Sequence, residues 1–223
     1  MFHFPYRTLA ALAVAAGMLP SLDAAAASPL PAPAQDVPAA SVKGPQTAVF
    51  AGGCFWGVEA VYRHVKGVTK AVSGYAGGNA KTADYEMVST GMTGHAESVE
   101  VTYDPAQVSY GELLRVFFSV AHDPTQLNRQ GPDYGSQYRS AIFFTNDDQK
   151  RVAQAYIQQL GQAKVYADPI VTQVGPLTAF YPAEAYHQNY LALHRTQPYI
   201  VAHDLPKLAQ LKQQFPERYV AMQ

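Results

Sequence analysis

A short apolar segment that ends in two glycines and leads into an amphipathic segment is the feature that most restricts the fold of this chain. Residues 47–51 (TAVFA) carry no charge and favour β-structure, and Gly52 and Gly53 follow them. Such a run predicts a central strand that is covered on both faces. Apolar residues then recur at helical spacing from Val58 to Val65, which predicts a helix packed against this strand.

The predicted helix also has a polar side. Glu59, Arg63 and Lys66 fall on that side, and the first two have the i,i+4 spacing of a helical ion pair. Gly67 is predicted to end the helix, because glycine readily adopts the left-handed conformation of a C-terminal cap.

The same criteria divide the rest of the domain into strands and helices. Apolar runs of short or alternating pattern predict strands, and amphipathic runs with capping residues predict helices. This order predicts an α/β (α+β) two-layer sandwich, in which helices pack on a single sheet. The predicted strands are 68–75, 98–103, 138–145 and 170–174, and the predicted helices are 109–121, 147–160, 182–194 and 205–214.

The first residues of the chain have the pattern of a secretory signal peptide. Arg7 precedes an apolar run from Leu9 to Leu19, and small residues then lead to a predicted cleavage site after Ala27. The run is shorter than the roughly 20 apolar residues of a membrane-spanning helix. We therefore expect a signal peptide at residues 1–27, a periplasmic or secreted mature protein, and no membrane insertion after cleavage.

Two segments follow the predicted signal peptide. Residues 28–46 are rich in Pro and Ala, a composition that cannot bury a useful apolar face and predicts an extended, partly disordered linker. Residues 47–223 have the usual size of one domain with one core.

Charge and cysteine content limit the possible functions. The chain has 16 Lys+Arg against 17 Asp+Glu, a balance that leaves no electrostatic signal for nucleic-acid binding. Its only cysteine is Cys54, which is unusual in an exported protein because oxidising compartments favour paired cysteines. A lone cysteine is either a small buried hydrophobic residue or a reactive thiol.

The position of Cys54 favours a reactive thiol. It lies where the predicted central strand meets the first helix, and the N–H groups and dipole of a helix start lower the pKa of a cysteine. Phe55 and Trp56 follow directly. Phe55 alone would fit a core position, whereas Trp56 beside a helix-terminal cysteine predicts the wall of an apolar pocket.

Glu97 is the second informative residue. Val99, Val101 and Tyr103 lie on one face of the predicted strand 98–103, and extending the alternation backwards places Glu97 on that same face. A buried carboxyl there would have a raised pKa and could donate a proton near neutral pH. A Glu97 side chain that leans into solvent at the strand end is the equally open alternative.

Other polar side chains carry less information. Tyr85 and Tyr138 offer hydroxyl donors next to glycine-rich turns, but the chain has 15 tyrosines and most must serve packing. The seven histidines have no spacing typical of metal ligands, so we expect no metal site.

Ordered motifs along the chain resemble the A-type peptide methionine sulfoxide reductases. The resemblance covers about residues 47–215 and implies that family's sandwich, with a mixed sheet of ferredoxin-like character, so that residues 47–223 would be the catalytic domain. The matching motifs are GCFWG at 53–57, GYAGG at 74–78, TGHAE at 93–97, Asp104-Pro105, GSQYRS at 135–140, and Tyr186-His187-Gln188 with Tyr190-Leu191.

The resemblance implies a nucleophile and an acid. Cys54 would attack the sulfoxide sulfur, and Glu97 would protonate the sulfoxide oxygen with help from the hydroxyls of Tyr85 and Tyr138. This fits the general chemistry, because a sulfoxide oxygen leaves poorly until it is protonated. The products would be methionine and a sulfenic acid on Cys54, and no bound cofactor is implied.

The resemblance also implies a substrate pocket. Phe55 and Trp56 would hold the ε-methyl group of the oxidised methionine, free or in a peptide or protein, and would select the S epimer at sulfur. Asp133 would help to position the substrate or to stabilise the sulfenic acid.

One departure from the family pattern concerns the end of the cycle. Many members carry a second cysteine near the C-terminus, but the corresponding region 199–203 (YIVAH) has none. We therefore expect a one-cysteine cycle in which an external thiol, a thioredoxin-like protein or dithiothreitol, resolves the sulfenic acid. A monomer is expected.

Two other functions remain open from the residues alone. Cys54 could act in a cysteine hydrolase or acyltransferase with a distant histidine such as His187 as base. Alternatively, Phe55 and Trp56 could recognise oxidised or apolar side chains in a binding module without catalysis.

Overall fold

The apolar run at the start of the domain forms the strand β1 (Gln46–Gly52), as predicted. The structure, a computed structural model, describes Met1, residues 29–38 and residues 44–221. β1 pairs in antiparallel fashion with β3 (Ala96–Tyr103) on one side and with β6 (Ser140–Phe144) on the other. Its last five residues are buried, as expected for a central strand.

Three more strands complete a six-stranded mixed sheet. β2 (Val68–Ala76) pairs antiparallel with β3 and with β8 (Phe180–Pro182), and β6 pairs parallel with β7 (Gln173–Pro176). The strand order is β7-β6-β1-β3-β2-β8. Its central part, β6-β1-β3-β2, is the order of a ferredoxin-like sheet, which confirms the predicted fold class. The strands β4 (Arg129–Gln130) and β5 (Asp133–Tyr134) form a separate ribbon.

Helices cover the main apolar face of the sheet. Phe50 of β1 stacks on Tyr62 and Phe117, with ring centroids 5.1 Å apart in both pairs, so the principal core lies between β1 and the helices. No helix of the described residues is long and apolar enough to cross a membrane. The helices are α1 (Phe55–Arg63), α2 (Tyr85–Ser89), α3 (Tyr110–Val116, continued by a π-helical turn over Phe117–Ala121), α4 (Asp147–Gln162), α5 (Tyr190–Leu193) and α6 (Leu205–Gln214, preceded by a π-helical turn over Ile200–Asp204).

The end and the polar side of the first helix differ from the prediction. α1 ends at Arg63 rather than at Gly67, because Val65 forms a β-bridge with Tyr219 and Lys66 N–H donates to a backbone carbonyl beside it. Glu59 pairs with Arg63 as predicted, at 3.4 Å, but its side chain is buried rather than exposed. Tertiary donors that helical periodicity cannot reveal, the Ser73 hydroxyl among them, satisfy its carboxylate.

The predicted helix over residues 182–194 is wrong. Pro182 ends the strand β8, and a short 3₁₀ turn over Ala185–His187 and the four-residue helix α5 follow it. Asn189 separates these two turns with a left-handed φ of +55°, and its N–H donates to the buried Glu59 carboxylate. The predicted strand 170–174 begins three residues later and ends two residues later, as β7, and α2, β4, β5 and β8 were not predicted.

Residues 29–38 contain no helix or strand and lie along the domain, and they correct the expectation that the linker buries no useful apolar surface. Leu30 and Val37 pack against the main core. Asp36 accepts hydrogen bonds from the Gly111 N–H (2.8 Å) and from the Ser109 hydroxyl, and so caps the start of α3. The predicted signal peptide at 1–27 lies outside the described residues apart from Met1, as do residues 39–43 of the linker.

The contacts of Asp36 predict a measurable contribution to stability. We expect Asp36→Ala to lower the free energy of unfolding by about 1–2 kcal/mol, because the first turn of α3 loses a charged cap. Gln35→Ala is the matched control, since Gln35 is exposed and, among the described residues, its side chain bonds only to the exposed Arg151. Urea denaturation of the two variants measures the difference, and equal midpoints would contradict a capping role.

Candidate active site

Cys54 lies at the junction of β1 and α1 as the N-cap residue of the helix. Gly53 before it has a φ of +86°, a left-handed conformation that favours glycine, and a side chain there would collide with Gln130. The chain therefore needs glycine for this tight turn. Cys54 is 8% exposed, so only a small part of its surface remains accessible.

The electrostatics of Cys54 correct one prediction. The Trp56 N–H donates to the thiol and lowers its pKa, as expected at a helix start, but burial raises the pKa of this thiol well above its ordinary value. The neighbouring Glu97 and Asp204 carboxyls raise the pKa further. The helix terminus alone therefore does not make the thiolate available, because desolvation and two acids outweigh the Trp56 N–H and the positive charge of Lys207.

Glu97 points into the protein, which decides between the two orientations that the sequence left open. It lies on β3 opposite Tyr75 of β2, is 3% exposed, and accepts a hydrogen bond from the Phe55 N–H at 3.0 Å. Burial raises the pKa of its carboxyl to about 8, and the nearby Asp133 and Asp204 add to the effect. Glu97 is therefore a neutral acid at pH 7, able to donate a proton.

Aromatic rings form one wall of the site. Trp56 stacks on Tyr190 with centroids 3.8 Å apart, and its indole N–H donates to His187 Nδ1 at 3.1 Å. Phe55 is buried and packs against the same imidazole at 5.0 Å. These contacts hold both rings firmly beside Cys54.

A cavity of about 210 Å³ brings all seven predicted site residues together. Two larger hollows, of about 370 and 380 Å³, lie elsewhere on the surface, and neither is lined by Cys54 or by any other of the predicted site residues. The residues lining the active-site cavity are Cys54, Phe55, Trp56, Tyr85, Glu97, Asp133, Tyr138, Gln197 and Tyr199.

Gln197 and Tyr199 are the lining residues that the sequence did not single out. The Tyr199 hydroxyl donates to Asp133 Oδ2, and the ring meets Trp56 edge-on at 6.0 Å. Neither residue stands in a motif, and Tyr199 is one of 15 tyrosines. Only the tertiary fold brings this C-terminal segment to the cavity.

The environment of His187 bears on the hydrolase alternative. The imidazole is buried, its Nδ1 accepts from Trp56, and its ring packs against Phe55 and Tyr85. Burial lowers its pKa. His187 thus supports the aromatic wall. A catalytic Cys–His pair requires a hydrogen bond between the two side chains, and none joins His187 to Cys54 within the described residues.

Metal-binding clusters were also sought. Across residues 29–38 and 44–221, no group of three or more His, Cys, Asp or Glu side chains could hold a metal ion.

Comparison with known proteins gives concordant results. The family model for peptide methionine sulfoxide reductase matches residues 46–219. The chain is 65% identical to peptide methionine sulfoxide reductase MsrA 2 of Mesorhizobium japonicum over 176 residues, 79% of this chain and 90% of that protein. A protein of the same name from Synechocystis is 54% identical over 194 residues, 86% of this chain and 91% of that protein.

Solved structures agree with this result. Reduced Mxr1 of Saccharomyces cerevisiae matches with a TM-score of 0.62 and 32% identity over 73% of this chain and 91% of that one. Methionine sulfoxide reductase A of Corynebacterium diphtheriae matches with a TM-score of 0.60 and 37% identity over 70% and 78%. Together with a cavity that unites a cysteine and a neutral acid, these matches show that the chain belongs to the peptide methionine sulfoxide reductases, enzymes that reduce methionine sulfoxide.

Proposed function

We propose that Cys54 carries out the reduction as nucleophile and that Glu97 acts as the acid, with methionine S-sulfoxide as substrate. The observation that supports this proposal best is the shared cavity, in which a buried thiol and a carboxyl with a pKa of about 8 lie beside an aromatic wall. A sulfoxide has a polar oxygen that needs a proton and an apolar methyl group that needs a pocket, and this cavity offers both.

The chemical step transfers one oxygen atom from the substrate to Cys54. Glu97 protonates the sulfoxide oxygen and takes up the thiol proton as the Cys54 sulfur attacks the substrate sulfur. The Cys54 sulfur bonds to the substrate sulfur while the sulfur–oxygen bond of the substrate breaks, and the protonated oxygen leaves as hydroxide. The hydroxide then attacks the Cys54 sulfur, and the bond between the two sulfurs breaks with its electron pair on the methionine sulfur. Methionine leaves in reduced form, and Cys54 is oxidised to a sulfenic acid. The proton lost by the thiol is the proton that the sulfenic acid carries, so Glu97 returns to its neutral state.

The remaining polar groups of the cavity orient the sulfoxide. Tyr85 and Tyr138 both line it, and burial, followed by the nearby Glu97, raises the pKa of each phenol. Their hydroxyls therefore stay protonated and can donate to the sulfoxide oxygen. Asp133, which accepts from Tyr199, would position the rest of the substrate.

Phe55 and Trp56 give the pocket its stereochemical preference. Both rings are held by packing against His187, so they offer the methyl group a fixed surface. With the oxygen directed to Glu97 and the methyl group to this wall, the two configurations at sulfur point the rest of the substrate in different directions, so the pocket can distinguish them. The resemblance to the A-type reductases implies that the accepted configuration is S.

The second half of the cycle needs a thiol from outside. Cys54 is the only cysteine of the chain, so the sulfenic acid has no internal partner. An external thiol would attack it with loss of water, and a second thiol would release Cys54 from the mixed disulfide. A thioredoxin-like protein suits this role, with dithiothreitol as substitute in vitro, and the signal-like residues 1–27 support an enzyme that works outside the cytoplasm.

A coupled assay with resolved sulfoxide epimers tests the proposed function. We expect turnover of the S epimer with dithiothreitol and with a thioredoxin-like protein, and no turnover in Cys54→Ser. Without reductant, one turnover should add about 16 Da to Cys54, as expected for a sulfenic acid. Reduction of the R epimer, or an acyl adduct on Cys54, would contradict the assignment, and binding without reduction by the wild type would indicate a binding module.

Replacement of Glu97 tests the acid. We expect Glu97→Gln to lower kcat by about 10²–10⁴-fold, because the amide still accepts from the Phe55 N–H but cannot supply a proton. In the wild type the acid-dependent step should slow as pH rises through about 8, where Glu97 loses its proton. Rate profiles from pH 6 to 9 measure both effects, and an unchanged alkaline limb in the variant would show that another group is the acid.

The same residue predicts a pH dependence of stability. The folded protein keeps a proton on Glu97 up to about pH 8, whereas the unfolded chain releases it near its ordinary pKa of 4.5. The free energy of unfolding should therefore fall as pH rises between these values, and this slope should be smaller in Glu97→Gln. Urea denaturation at pH 5, 6.5 and 8 measures how the free energy of unfolding changes with pH. An equal change with pH in the wild type and in Glu97→Gln would contradict a buried, neutral Glu97.

A further inference from the structure

An ion pair between a buried acid and a partly buried lysine lies against the first turn of α1, beside the cavity. Asp204, at the start of α6, is fully buried at 0% exposure, and Lys207 Nζ donates to its Oδ1 at 3.3 Å. The second oxygen, Oδ2, has no hydrogen-bond partner among the residues described. A buried carboxylate with one unsatisfied oxygen is costly, so this pair calls for an explanation other than stability.

Gly57 brings the pair close to Cys54. It is the third residue of α1, where glycine weakens a helix. A side chain at this position would collide with Asp204 Oδ1, and its Cβ would lie 2.8 Å from Lys207 Nζ. The absence of a side chain at Gly57 thus allows both charged groups to lie close to the helical turn that Cys54 caps.

The two charges act on Cys54 in opposite directions. Burial is the largest cause of the raised pKa of the Cys54 thiol; Glu97 and then Asp204 raise it further, while Lys207 lowers it. Tyr85 of α2, together with Tyr138 and Tyr199, also faces the thiol.

The pair itself has few other charged neighbours. Besides Lys207, the groups that act on Asp204 are Asp133 and His203. Lys207 acts in turn on Cys54 and on His122, a buried imidazole whose pKa is lowered to about 3, mainly by burial, so that it is neutral near pH 7. Lys207 is therefore the cation that affects Cys54, and Asp204 is the group that fixes its ammonium.

We propose that Asp204 and Lys207 are positioning residues for the reduction. Lys207 supplies the positive charge that supports the Cys54 thiolate during attack. Asp204 holds that ammonium against α1, and its own negative charge opposes formation of the thiolate. The proposal rests on the proposed role of Cys54 as nucleophile.

The pH dependence of Cys54 alkylation in the full chain tests this proposal. Iodoacetamide reacts with the thiolate, and because Cys54 is the only cysteine, the mass increase reports one group. We expect the midpoint of the alkylation rate to rise by about 0.5 pH unit in Lys207→Met and to fall by about one unit in Asp204→Asn, because Asp204 has the larger effect on Cys54. Lys207→Arg keeps the charge and should stay near the wild type.

A purely structural pair would behave differently. Its loss would lower the melting temperature and leave the alkylation midpoint within about 0.2 pH unit of the wild type, or shift it in the same direction in both variants. Either result would overturn the proposal.

If the single variants do not fold, Asp204→Asn combined with Lys207→Met removes both charges together. Its midpoint should lie below that of the wild type, because Asp204 has the larger effect on Cys54, and a midpoint at or above the wild type would overturn the proposal. Alkylation can be measured without turnover. A failure of the proposed function would appear as reductase activity in Cys54→Ser, and it can therefore be distinguished from a failure of the positioning role.

Discussion

The hydrogen bond from the Phe55 N–H to the Glu97 carboxyl joins the first turn of α1 to the beginning of the strand β3. It is buried at both ends, so water cannot replace either partner, and leaving one unsatisfied would cost about 1–3 kcal/mol. The same bond sets the site, since Cys54 immediately precedes the donor and Glu97 is the acceptor. Nucleophile and acid are thus held together by the contact that docks the helix on its strand.

Close packing of these groups links their protonation states. Burial raises the pKa of Cys54, Glu97 and Asp204. Glu97 and Asp204 also raise the pKa of Cys54, and Asp204 raises the pKa of Glu97. In the resting protein this favours a thiol over a thiolate, and a thiol reacts slowly with oxidants. An enzyme proposed to work in an oxidising compartment gains from a nucleophile that becomes reactive only with substrate in place.

The sequence predicted the parts of the site that depend on local pattern. The strand, the glycine turn and the helix around Cys54 follow from periodicity, and alternation along β3 correctly offered an inward Glu97. Tertiary contacts decided the rest. The Glu59 carboxylate draws Asn189 into a left-handed turn and breaks the predicted helix 182–194, and Tyr199 reaches Asp133 only because the chain folds back across the cavity. Neither contact leaves a signal in a short window of sequence.

The C-terminal segment around Tyr199 and Asp204, which folds back across the cavity, also limits the order of steps in the catalytic cycle. It closes one side of the cavity with Tyr199 and packs Asp204 against Gly57, and it contains no cysteine. In the proposed cycle both the oxidised methionine and the external thiol must therefore reach the same sulfur atom through one small cavity. The two cannot occupy it together, because each needs the space in front of Cys54. Methionine has to leave before the reductant enters, so the sulfenic acid must survive as a free intermediate, sheltered by the same burial that keeps the resting thiol protonated.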